Sequence, residues 1–165
     1  MFRCSPVVWS GLALLLVCTT PATAAETGAW IRGVFTGSSP RPLVATEEVA
    51  WQRASEMAEN VSGGFVLVGS GRSMQPLYEP DTILVLRHLP FNELRRGQTA
   101  LYRNREGKVI AHVLVSKTRD GWRARGLNNR LHDMEPVLSE NLVGVVIAAF
   151  KPVAGKRPAS FAVLR

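Results

Sequence analysis

From Phe65 onward the chain is built of short apolar runs separated by polar breaks. The runs are "FVLV" (65–68), "TILVLR" (82–87), "QTALYR" (98–103), "KVIAHVLVSK" (108–117), "GWRARG" (121–126) and "NLVGVVIAAF" (141–150). They are rich in β-branched and apolar residues, short, and bounded by turn formers, which is the pattern of strands. "NREG" (104–107) and "RDG" (119–121) have hairpin-turn composition. No helical period lies between the runs. The pattern predicts a mainly β fold, a curled antiparallel or mixed sheet or a small barrel. One short helix precedes it. "TEEVAWQRASEMAEN" (46–60) carries helix formers throughout, with Glu47 and Glu48 in the first turn, where the helix dipole favours acids. Val49, Ala50, Met57 and Ala58 supply its expected apolar stripe, and Asn60 with Ser62-Gly63-Gly64 ends it. Residues 26–45, with Gly28, Gly33, Gly37, Pro40 and Pro42, read as an irregular linker, and the tail 151–165 shows no clear element.

The first 25 residues are of different material. Arg3 gives a short positive start, Val7 to Val17 is apolar apart from Ser10 and Gly11, and Ala22-Thr23-Ala24 has the small-residue spacing of a cleavage site. This is the composition of a secretory signal peptide cut near Ala24 or Ala25, and the apolar stretch is short for a membrane anchor, the alternative. The expected organisation is a leader (1–25), a linker with a helix (26–64), one domain (65–150) and a tail (151–165). Both cysteines, Cys4 and Cys18, fall in the leader, so the exported part has no disulfide framework, thiol nucleophile or cysteine metal site.

The net charge of +7 favours anionic partners such as a membrane surface or nucleic acid. The basic residues are scattered, however, and no nucleic-acid-binding motif is present, so nucleic acid is not an expected partner. No nucleotide, flavin or metal signature occurs, and no cofactor is expected.

The chemistry concentrates in "GSGRSMQPLYEPD" (69–81). Ser73 follows an apolar run and sits among residues that bend the chain. Gly71 permits a sharp turn and close approach of a substrate, Pro76 fixes the exit, and a turn exposes backbone N–H groups that could face an oxyanion. A hydroxyl needs a neighbouring base before it attacks. Of three histidines, His88 and His132 sit in polar segments. His112 lies inside the strongest strand, where alternation groups it with Ile110 and Leu114 and sets Val109, Ala111, Val113 and Val115 on the other face. Lys108, four residues earlier on the same face, is the alternative base, but it follows a turn and so should be exposed, and a lysine base needs burial. Asp133 in "GLNNRLHD" is a plausible acid to orient the histidine; Asp81 is the other, although "EPD" fits a turn equally well.

Taken in order, these pieces resemble the signal peptidase and LexA-type superfamily of serine peptidases over about residues 65–149. The resemblance implies that Ser73 in S-M-x-P is the nucleophile and that His112 in "AHVLV" holds the base position, as in the Ser-His members, with Asp133 as acid. Gly71, Arg72, Met74 and Pro76 would then border the oxyanion hole and substrate groove. The sequence departs from the family at several supporting positions: "EPD" lacks a glycine, Gln98 and Leu127 stand where aspartates are common, and Val113 replaces an arginine. The expected function is that of an exported serine endopeptidase acting on polypeptides, possible preproteins among them, with membrane contact as a further expectation. Two alternatives are an inactive binding module of the same fold and a LexA-type self-cleaving regulator.

Overall fold

The computed structural model describes residues 29–153; the predicted leader and most of the predicted tail lie outside them. Ten elements follow one another: β1 (Trp30–Ile31), β2 (Val34–Phe35), β3 (Leu43–Thr46), α1 (Glu47–Glu59), β4 (Gly64–Val68), β5 (Ile83–Arg87), β6 (Thr99–Arg103), β7 (Val109–Thr118), β8 (Gly121–Arg125) and β9 (Leu142–Val153). A 3₁₀ turn at Phe91–Glu93 links β5 and β6. The fold is mainly β with one helix, and among the described residues the sheet does not close into a barrel.

The main sheet runs β4-β5-β9-β6-β7-β8, with β3 pairing β9 as well. All these pairs are antiparallel except β3 with β9, which is parallel. β9 is the organising strand. Its first part pairs β6 (Leu142, Gly144 and Val145), its middle pairs β5 (Val145 to Phe150), and its end pairs β3 (Phe150 to Val153). Bulges in the pairings of β9 with β5 and β6, and of β7 with β8, curl the sheet.

Strand alternation divides the core. Leu101, Val113 and Val146 point into a cluster with Met74, Leu77, Tyr78 and Leu127. Their neighbours Ala100, Tyr102, Leu114 and Val145 point the other way, into a cluster with Leu94, Trp122 and Val137. A third cluster lies beneath α1, where Ala50, Ala54 and Ala58 pack on Ile83, Val85 and Phe150.

The helix begins at Thr46, whose hydroxyl accepts from the Val49 N–H, and its C-cap is Asn60. The expected apolar stripe is corrected, because Val49 and Met57 are exposed. The sheet supplies the bulk at this contact, so the helix presents alanines four residues apart and approaches closely. The linker reading of 26–45 is also corrected. A hairpin stands at Trp30–Phe35, turning through Arg32 and Gly33, both with positive φ (47° and 77°), and β3 joins the main sheet. The tail reading changes too, since Lys151-Pro152-Val153 extend β9. Among the described residues no helix is long and apolar enough to cross a membrane.

Candidate active site

The serine segment connects β4 to β5, and its ends are tied together. The Gly69 N–H donates to the Thr82 carbonyl, and the Asp81 N–H donates back to the Gly69 carbonyl at 2.7 Å. Asp81, at φ 68°, therefore closes the base of the loop and is exposed to solvent. Within the loop, Met74, Leu77 and Tyr78 plug into the core, and the Tyr78 hydroxyl donates to the Pro40 carbonyl. Burial pushes the Tyr78 hydroxyl well above the ordinary tyrosine range, against weaker opposing hydrogen bonds with Thr99 and Ser39. These anchors hold Ser73 at the loop's apex. The Ser73 carbonyl accepts from the Asn128 N–H at 2.7 Å, which pins the serine loop to the β8–β9 loop.

His112 stands on β7 opposite Ala100 of β6. The small partner leaves room for the ring on a face otherwise filled by Ile110 and Leu114. The imidazole is buried, with Nε2 2.9 Å from Ser73 Oγ and Nδ1 2.6 Å from Asp133 Oδ2. The Tyr102 hydroxyl also donates to Asp133 Oδ2, at 2.5 Å. A carboxylate oxygen only accepts, so Nδ1 carries the imidazole proton and the Nε2 lone pair faces the Ser73 hydroxyl. Asp133 is placed by its own backbone, whose N–H donates to the Ala124 carbonyl at the end of β8.

Thus Ser73, His112 and Asp133 come together in one hydrogen-bonded line. Lys108 does not join them. Its side chain is 74% exposed and pairs with Glu106 at 2.7 Å. His88 is exposed and lies against Phe65, and His132 is half-buried in the β8–β9 loop.

A groove of about 370 Å³ opens beside Ser73. One wall is the end of β4 and its loop, Leu67 to Gly71; the other is Val109 to His112 of β7. Met74, Tyr78, Leu84 and Leu101 also line it. Of the expected groove residues, Gly71 and Met74 line it, whereas Arg72 and Pro76 do not and are exposed on the outer side of the turn. Both walls are strand edges with pairing capacity to spare. β4 pairs only β5, and Val109 to His112 pair only β6. Among the described residues the Ser73 backbone N–H has no acceptor.

Two residues at the site escaped the sequence reading. Tyr102 acts across strands, and only the β6–β7 register could have brought it near His112. Gly126 passes so close to the imidazole that a Cβ there would lie 2.8 Å from His112 Nε2. Its signal was the glycine of "GLNNRLHD", a stretch read for Asp133 and for Leu127 at an aspartate position. Leu127, at that aspartate position, is fully buried and anchors the loop in the core. Among the described residues no group of three or more His, Cys, Asp or Glu side chains could hold a metal ion. Comparison of the chain with known families, curated proteins and solved structures finds no match.

Proposed function

We propose that the chain is a serine endopeptidase of signal-peptidase type, exported and acting on extended polypeptide segments. The observation that carries this reading is the line Ser73 Oγ–His112 Nε2–His112 Nδ1–Asp133 Oδ2, with spacings of 2.9 and 2.6 Å, at the edge of an open groove. In this reading a substrate lies extended along the free edges of β4 and β7, taking backbone hydrogen bonds from them. Ser73 Oγ attacks the scissile carbonyl while His112 Nε2 takes its proton. The carbonyl oxygen becomes an oxyanion facing the Ser73 N–H. His112 then gives the proton to the departing amine, leaving an acyl-serine. A water, deprotonated by His112, splits that ester and restores the hydroxyl. Asp133 holds the imidazole with Nδ1 protonated throughout and stabilises its cationic form.

The test is cleavage of a model preprotein with an Ala-x-Ala site by the full chain in detergent, with Ser73→Ala in parallel. The expected result is specific cleavage that Ser73→Ala abolishes. Equal inertness of two folded proteins would remove the peptidase reading in favour of a binding module.

A further inference from the structure

Asp133 belongs to a surface loop. Its neighbours Leu131 and Met134 are 79% and 100% exposed, and Arg130 is exposed too. The Asp133 side chain is only 15% exposed, and its N–H bond to Ala124 fixes the backbone but not the carboxylate. The second restraint comes from the sheet. Tyr102 is 1% exposed, in the middle of the main sheet between β7 and β9. It faces Ile110, diagonal to His112, and both project from the face that carries Leu114 and Ala100. The pairing of β6 with β9 shifts register between Leu101 and Tyr102, so a bulge sits where the tyrosine leaves the sheet. Bulges of this kind redirect a side chain.

We propose that Tyr102 is a positioning residue for the His112–Asp133 pair, its hydroxyl locking the carboxylate so that one oxygen receives both the tyrosine O–H and the imidazole Nδ1–H. The role rests on the peptidase reading for its kinetic consequence, but not for its geometry. A phenol donating to a carboxylate at 2.5 Å is a charge-assisted hydrogen bond, stronger than a neutral one. Burial first, and then Asp133, push the Tyr102 hydroxyl far above its usual range, which keeps it a donor at neutral pH. Tyr102 does not line the groove. Its loss should therefore leave substrate binding alone and act on the chemical step.

Tyr102→Phe keeps the ring and removes the hydroxyl, and circular dichroism verifies its fold. Two readouts follow. In single-substrate kinetics kcat should fall about tenfold, the scale of one charge-assisted hydrogen bond, with KM within about twofold. In the ¹⁵N spectrum of ring-labelled protein, wild-type His112 should be held in one tautomer with Nδ1 protonated, and the variant should show an averaged or mixed pattern. An unchanged ring-nitrogen spectrum overturns the proposal whatever the kinetics. A changed spectrum in a protein whose wild type cleaves nothing supports the positioning role and counts against the peptidase reading alone. A folded variant with changed KM and unchanged kcat also overturns it.

Discussion

The two ends of β7 are one strand with two environments. Val113 pairs both β6 and β8, and from Leu114 to Thr118 the strand pairs β8; from Val109 to His112 it pairs β6 alone and its other edge faces the groove. His112 is the last residue before the double pairing begins. It has the rigidity of a buried strand and an open edge beside it. Lys108, on the near side of the turn, has neither: its backbone N–H caps Asn104 and its ammonium reaches Glu106 in solvent. A general base needs a fixed ring and shelter from water, and four residues of strand separate a position that offers both from one that offers neither.

The sharpest way to break this contrast is to remove each base in turn. His112→Ala should lower kcat by roughly a million-fold, on the scale seen when a serine-enzyme base is lost, and Lys108 should not substitute for it. Lys108→Ala should leave kcat/KM within about twofold, since an exposed pair such as Lys108–Glu106 contributes little. A large loss in Lys108→Ala would reverse the assignment. A smaller effect should come from the approach of Gly126. Gly126→Ala places a methyl 2.8 Å from both His112 Nε2 and Asn129 Nδ2. We expect kcat to fall about 10- to 100-fold with the fold retained, measured against the same substrate.

The smallest effect concerns stability. The chain has two tyrosines, and both are buried in the described core. Burial raises each above its unfolded value of about 10. The neutral form is favoured in the folded state, so this contribution is intact below pH 10 and declines above it, as the unfolded chain ionises first. Each tyrosine should remove about 1.4 kcal/mol of stability per pH unit above that point. Urea titrations between pH 9 and 11 should show a steeper decline for wild type than for Tyr102→Phe.

Most strands were legible because period-two alternation and turn residues are local signals. All six runs from Phe65 onward became strands within a few residues of their expected ends, and the turns fell at Asn104–Gly107 and Arg119–Gly121. β3 was not legible. "LVAT" is exposed, short and preceded by Pro42, and it forms a strand only through parallel pairing with residues more than one hundred positions away. The helix stripe failed because hydropathy ranks Val49 and Met57 above alanine, while a close helix-on-sheet contact selects small residues. At the site, Ser73 and His112 stood out by motif and by an ionisable group inside an apolar strand. The choice between Asp133 and Asp81 could not be made from spacing. It depended on which loop returned to β7, and that was set by the hydrogen bond between Asp133 and the end of β8.

β9 carries a consequence for the order of events in folding. Three strands that come earlier in the chain, β3, β5 and β6, meet only through it, and it is the last element described. The hairpin-linked strands β6, β7 and β8 can pair by short loop closures as they emerge. The half with β3, β4 and β5 can form its own hairpin, but no strand pairing joins it to the histidine half until residues 142–150 arrive. Ser73 belongs to one half and His112 to the other. The proposed nucleophile and base therefore lie in halves whose strands are joined only through distant contacts, the kind that makes folding slow. A chain assembled in this order would complete the proposed site only once β9 is in place.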